Sequence, residues 1–222
     1  MLRLNIIDSE LELVPEKLCD DFQIRKMAKT RDKKPEEMLL DSNYMHGAID
    51  RAFPGKSNRM GRPDIFYHLL NVTQDSILNR EGFLETVIHT KNDLIIKIDK
   101  ETRIPKSYNR FTGLVEKLLK NGRVESPDGK MLMSVEKGRW NSMSRDNFQN
   151  ILLSPGGKIK KAGEIFDKKG DYSVFIGGFS EGDFVSPVYN ELEPVSIFRD
   201  ELTIWTVGWE LISSMEALEG FR

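Results

Sequence analysis

Along the chain, apolar positions recur with two periods, close to 2 in some stretches and close to 3.6 in others, and the alternation between them lays out the elements. Residues 2–7 alternate closely enough to predict a first strand. Pro15 opens a predicted helix reaching Lys29, and behind Met38-Leu39-Leu40 the turn-forming and capping residues Asp41, Ser42 and Asn43 introduce a short helix over 45–52. Pro63 stands at a natural first helical position, with Ile65, Leu69, Leu70 and Val72 as the apolar side of that helix. Two β-rich runs, 83–89 and 94–98, are joined by a turn at Lys91-Asn92-Asp93. Phe111, Leu114, Val115, Leu118 and Leu119 fall at spacings of three and four, which makes 107–120 an amphipathic helix that Asn121-Gly122 ends. Short strands at 131–135 and 151–153 follow, and a polar helix over 158–169.

The chain changes character from residue 172. Tyr172-Ser173-Val174-Phe175-Ile176 is a nearly continuous apolar run ending in Gly177-Gly178, the signature of a strand covered on both faces. A second such run spans 195–198. Asp200 and Glu201 suit a helix start, and the helix over 202–218 carries apolar residues on more than one side, as expected if its own sheet covers one side and a second subunit the other. Alternating strands and helices predict an α/β class with a parallel sheet. Internal repeats and low-complexity tracts are absent from the sequence.

Composition narrows the function classes. The 39% apolar and 31% charged residues are those of an ordinary folded protein, and a net charge of -2 excludes a polycation, so any nucleic-acid binding has to come from local clusters. Cys19 is the sole cysteine, which excludes an intrachain disulfide and a cysteine-rich metal site. With no apolar run long enough to span a bilayer and no leader-like segment, a cytoplasmic protein without membrane partners is expected.

Three constellations carry candidate chemistry. In the first, the turn Gly177-Gly178 and the following Gly182-Asp183 lie where parallel sheets hold ligands, outside the carboxyl end of a strand. The glycine spacing is neither that of a dinucleotide fingerprint nor that of a phosphate loop, so the turn alone leaves a ligand site and a plain tight turn both open. In the second, Arg103, Lys106 and Arg110 surround the start of the helix at Ser107, where free amides and cations suit a phosphate, and Lys56, Arg59 and Arg62 add to the same sign of charge. The cations of 25–34 are read as a solvated helix end and loop. In the third, Arg62 and Asp64 flank Pro63, so the carboxylate either orients the arginine toward a ligand or neutralises it. His68, one turn after Asp64, is read as structural. His46 and His89 lack the neighbours of a metal site, and no metal is expected.

Taken together, several segments resemble one family, the small-subunit rRNA pseudouridine-N1 methyltransferases, ribosome-assembly proteins of the SPOUT superfamily. They are Leu39-Leu40-Asp41-Ser42-Asn43-Tyr44-Met45-His46-Gly47-Ala48-Ile49, Gly61-Arg62-Pro63-Asp64-Ile65, and Arg103-Ile104-Pro105-Lys106-Ser107-Tyr108-Asn109-Arg110-Phe111-Thr112-Gly113-Leu114. Further along come Ile176-Gly177-Gly178-Phe179 through Asp183-Phe184, and Asp200-Glu201-Leu202-Thr203-Ile204-Trp205-Thr206-Val207. The resemblance implies a single domain over 1–222, an α/β fold with a parallel sheet, helices on both faces and a deep C-terminal trefoil knot within about 150–222, and a homodimer. It implies S-adenosyl-L-methionine held by Thr90, Ile176, Gly177, Gly178, Gly182, Asp183, Ile197, Phe198, Arg199, Asp200, Glu201 and Leu202. It further implies an rRNA surface from about 25–64 and 103–114, with Arg59, Arg62, Arg103, Lys106 and Arg110 as contacts, Arg62 and Asp64 as catalytic residues, and ribosomal assembly proteins as further partners. The family often has a second arginine where this chain has Lys106, so a two-point phosphate contact becomes a point charge. The implied activity is methylation of N1 of a pseudouridine, Arg62 stabilising the developing anion and Asp64 orienting Arg62 or accepting the proton. The competing expectation is a non-catalytic RNA-binding assembly factor using the same fold as a scaffold. A metabolic α/β enzyme is disfavoured by the basic sites.

Overall fold

A computed structural model describes residues 1–166 and 169–222. Its centre is an eight-stranded sheet in the order β4-β5-β3-β2-β1-β7-β6-β8. The strands are β1 (Leu2–Ser9), β2 (Leu84–Thr90), β3 (Leu94–Ile98), β4 (Arg123–Glu125), β5 (Met131–Lys137), β6 (Gln149–Ile159), β7 (Tyr172–Gly177) and β8 (Pro194–Ser196). From β2 through β1, β7 and β6 to β8 every pairing is parallel. Beyond β2 the sheet turns antiparallel: the tight turn after Thr90 brings β3 straight back along β2, and after a helix over 108–121 the chain returns as β4 and turns tightly into β5, which pairs with β3. The expected parallel sheet is therefore the ligand-bearing half of a mixed one. β4 is too short to show a period in the sequence.

The α-helices are α1 (Glu16–Cys19), α2 (Phe22–Arg31), α3 (Ser42–Ala52), α4 (Pro63–Gln74), α5 (Ile77–Arg80), α6 (Tyr108–Asn121), α7 (Ala162–Ile165) and α8 (Ile204–Glu219). Even positions of β1 (Leu2, Leu4, Ile6) and their neighbours Val174 and Ile176 of β7 join Phe66 and Leu69 of α4, Phe111 and Val115 of α6 and Leu211 and Ile212 of α8 in the main core. The opposite face, with Ile7, Val87 and Phe175, is covered by Trp140 and Met143 of one 3-10 turn and Val188 of another. Helices on both faces thus take the form of full helices on one side and single turns on the other. A third cluster, from Leu18, Ile24, Met45 and Ile49, builds α1–α3 into a small module at the carboxyl end of β1.

Three sequence-predicted elements are redrawn by tertiary contacts. The helix expected from Pro15 is broken at Asp20-Asp21, where the Asp21 carboxylate accepts from the amides of Gln23 and Ile24 and starts α2 afresh. The helix expected over 158–169 shrinks to α7; Lys158 and Ile159 instead pair with Val195 and Ser196, and a ladder to a neighbouring strand outweighs local propensity. Residues 167 and 168 of that expected helix lie outside the described residues. Finally, β8 stops at Ser196, whose hydroxyl donates to the Phe198 carbonyl (2.6 Å) and turns the chain away from the sheet. Asp200 and Glu201 consequently precede α8 rather than starting it.

Along α8, Gly208, Leu211, Ile212 and Met215 are buried while Trp209 is 44% exposed. The helix lies close on α4, since a Cβ at Gly208 would sit 2.8 Å from Leu69 Cδ1. His68 of α4 is exposed and packs its ring against Trp205 (5.0 Å between centroids). Among the described helices none is long and apolar enough to cross a membrane.

Candidate functional site

The carboxyl ends of β7 and β8 and the middle of β6 open onto a cleft of about 150 Å³. Its apolar walls include Leu153, Ile176, Phe179, Phe184, Ile197 and Val207, and its ionisable lining residues are Glu181, Asp183, Asp200 and Glu201. All four are acids, so the cleft favours a cationic ligand and disfavours a phosphate. Asp183 is fixed by the amide of Phe184 (2.7 Å) and the hydroxyl of Tyr189 (2.6 Å), and Tyr189 also meets Ser154 Oγ at 3.0 Å.

Of the residues expected to hold the methyl donor, Ile176, Gly177, Gly182, Asp183, Ile197, Phe198, Asp200, Glu201 and Leu202 line this cleft. Thr90, Gly178 and Arg199 do not. Thr90 is buried, and its hydroxyl accepts from the Leu94 amide (3.3 Å) in the β2–β3 turn. Gly178 packs beneath the site: a Cβ there would lie 2.4 Å from Ser9 Oγ and 2.7 Å from Ile6 Cγ2, so only glycine lets the turn close on β1. Arg199 is exposed and pairs with Asp200 (3.1 Å). Sequence reasoning missed Leu153-Ser154-Pro155, although Pro155-Gly156-Gly157 signals a second interrupted strand. Gly157 is where β8 comes in, since a Cβ there would meet Pro194 C and Val195 C at 2.6 Å.

Also missed was Asp8. It has φ 56°, left-handed backbone that L residues seldom adopt, at the end of β1. Its carboxylate accepts from the amides of Val185 (2.7 Å) and Ser186 (2.8 Å) and from Ser186 Oγ (2.6 Å), which ties down the far end of the cleft loop. His89 accepts the Asp8 amide at Nδ1 (3.3 Å), leaving Nε2 to donate to Asp93 (3.1 Å). Among the described residues there is no group of His, Cys and carboxylate side chains that could hold a metal ion.

Beside the cleft, Arg62 begins α4 and grips Asp64 at two points, Nε to Oδ1 (2.9 Å) and Nη2 to Oδ2 (2.8 Å). Burial raises the Asp64 pKa, but the hydrogen bonds and charge of Arg62 outweigh it and hold the carboxyl below the usual range. An acid held that way is a poor proton acceptor and a good orienting group. Both side chains remain about a quarter exposed (24% and 23%), leaving an edge of the guanidinium free to meet a ligand. The Tyr108 hydroxyl donates to Asp41 Oδ2 (2.6 Å), joining the starts of α6 and α3; burial pushes the Asp41 carboxyl up against the opposing pull of that hydrogen bond.

Arg103, Lys106 and Arg110 are exposed around the start of α6, whose Ser107 makes no side-chain cap. Among the described residues Arg103 and Arg110 have no carboxylate partner, and Lys106 meets Asp75 only at 3.7 Å. Arg103 and Lys106 also line a groove of about 920 Å³ with Asn71, Arg80 and Lys100. Arg59, the remaining expected RNA contact, turns the other way. Its Nε lies 2.7 Å from Glu10 Oε1, and its Nη1 donates to the carbonyls of Glu181 (2.5 Å) and Asp183 (3.2 Å).

With this geometry in place, comparison with known proteins is decisive. The family model described as EMG1/NEP1 methyltransferase matches residues 5–216. The chain belongs to that family. It is 50% identical over 222 residues to the ribosomal RNA small subunit methyltransferase Nep1 of Thermoplasma volcanium, covering 99% of each chain. Against the protein of the same description in Thermoplasma acidophilum the identity is 47% over 224 residues, with 99% of each chain covered. Among solved structures, that of Archaeoglobus fulgidus Nep1 bound to S-adenosylhomocysteine matches with a TM-score of 0.87 at 30% identity, covering 98% of both chains.

Proposed function

We propose that this protein transfers a methyl group from S-adenosyl-L-methionine to N1 of a pseudouridine in small-subunit rRNA during ribosome assembly. The observation that carries the proposal is an acid-lined cleft, suited to a sulfonium cation, beside an arginine oriented by its own carboxylate; Arg103 and Arg110, without a carboxylate partner among the described residues, add positive charge around the uncapped start of α6. Family membership and the S-adenosylhomocysteine bound by the structural relative support it.

Bound in the cleft, S-adenosyl-L-methionine supplies an electrophilic methyl group. The chain's own part is placement and charge. Ile176, Ile197 and Val207 exclude water around the donor, and Asp183, Asp200 and Glu201 favour its positive charge. Arg103, Lys106 and Arg110 take phosphates of an rRNA loop whose target base leaves its stack to reach the cleft. Arg62 stabilises the negative charge that develops on the ring as the N1 proton passes to solvent water and N1 takes the methyl group, the S–CH3 bond breaking to leave S-adenosylhomocysteine, and Asp64 keeps the guanidinium in that orientation. A C-terminal trefoil knot and a homodimer in which the exposed side of α8 and Phe198 meet a second subunit belong to the same proposal, as do a cytoplasmic location and contacts with ribosomal assembly proteins. Trp209 and Phe198, 44% and 45% exposed, supply apolar surface for the subunit contact.

Mass spectrometry of small-subunit rRNA from cells lacking the protein, after incubation with the protein and labelled donor, tests the proposal. One methyl group gained at a pseudouridine is expected; rRNA bound but left unmethylated contradicts it and marks a scaffold.

A further inference from the structure

Arg59 is a loop arginine just before Gly61-Arg62-Pro63-Asp64, and nothing in its local sequence separates it from the neighbouring cations. In the fold it is drawn inward. Besides the two carbonyl contacts to Glu181 and Asp183 (2.5 and 3.2 Å), its guanidinium stacks over the Phe179 ring at 4.4 Å. The segment around it adds to the grip: Asn58 Nδ2 donates to Glu181 Oε2 (3.3 Å) and the Ser180 hydroxyl donates to the Asn58 carbonyl. Opposite the loop, Glu10 supplies the counter-charge from a side chain 1% exposed. Burial pushes Glu10 up to about 7, against the pull of Arg59 and Lys91. The backbone of Glu10 binds both sides of the junction, its amide donating to the Gly178 carbonyl (3.2 Å) and its carbonyl accepting from the Arg62 amide (2.8 Å).

Phe179, Glu181, Gly182 and Asp183 all line the donor cleft, yet the strands fix none of them. Gly182 has φ 79°, and a Cβ there would lie 2.7 Å from Arg59 Nη1, so the loop is folded against the guanidinium itself. Free loop carbonyls would point at random; a planar cation with several donors can hold two of them and a ring at once.

We propose that Arg59 is a positioning residue for the methyl-donor loop, shaping residues 179–183 from behind, and that it is not a contact to RNA. The proposal rests on the cleft being the donor site. Arg59→Met alone would strand the buried Glu10 carboxylate, so the informative variant is the double replacement R59M/E10Q, which removes both charges. Its affinity for S-adenosylhomocysteine is measured by calorimetry and its affinity for a small-subunit rRNA hairpin by fluorescence anisotropy, with circular dichroism reporting the fold. The double variant is expected to bind S-adenosylhomocysteine at least about tenfold more weakly and the hairpin within about twofold of the unaltered protein. Arg59→Lys, which keeps a charge opposite Glu10 but cannot hold two carbonyls and a ring, is expected to fall between them. Donor affinity unchanged in both variants, or a larger loss for RNA than for donor, overturns the proposal. Failure of the unaltered protein to bind S-adenosylhomocysteine is a separate result, and it overturns the donor site itself together with this role of Arg59.

Discussion

At the scale of single residues, the chemistry depends on which arginines are free and which are committed. Arg62 is held by Asp64 and still partly open; Arg103 and Arg110 are open without a carboxylate partner among the described residues; Arg59 is committed to the cleft loop. For Arg59, Arg103 and Arg110 the sequence does not distinguish these states, because a guanidinium's partner is set by tertiary contacts. The Arg-Pro-Asp arrangement was the exception, since a proline between two residues at a helix start leaves the side chains little choice but to meet. Arg62→Ala is expected to lower turnover by about 10²–10³. Calorimetry should find S-adenosylhomocysteine affinity within about twofold of the unaltered protein, because the Arg62 side chain is absent from the cleft lining. Loss of donor binding in that variant would move Arg62 into the donor site.

Elements place these residues, and here the sequence was legible in proportion to how local the causes were. The amphipathic α6 and the fully covered β7 followed from period and composition alone, and both occupy nearly the predicted positions. β6 did not follow. Its second half runs through Pro155-Gly156-Gly157 and pairs with β8 only because Gly157 lets the backbone of Pro194 and Val195 approach. Asp8 and Glu10 were silent for a related reason: at the end of a buried strand a carboxylate is legible only through the loop it holds, and that loop lies more than 160 residues along the chain. Gly157→Ala is expected to push β8 away from β6 at a cost of about 1–3 kcal/mol. Hydrogen exchange in residues 194–202 should then be faster than in the unaltered protein, with weaker S-adenosylhomocysteine binding. Unchanged exchange there would mean that β8 is positioned from elsewhere.

For the molecule as a whole, the sheet's parallel half carries the cleft at one end. The cleft opens past the ends of β7 and β8 and beside the middle of β6; α4 starts near it with Arg62, and its other end, at Asp75, meets Lys106. The α/β class and the order of the matching segments were legible because hydrophobic period and motif spacing survive without tertiary context. The antiparallel extension through β3, β5 and β4 was not, since strand direction depends on connections that the pattern leaves open. The proposed division of labour between an acid-lined donor cleft and an arginine-bearing RNA face makes a specific demand on substrate. The most direct test is methyl transfer from labelled S-adenosyl-L-methionine to two otherwise identical small-subunit rRNA hairpins, one with pseudouridine at the target position and one with uridine. Incorporation into the pseudouridine hairpin alone is the predicted result. Equal incorporation into both, or into neither by protein that binds both hairpin and donor, would contradict the account.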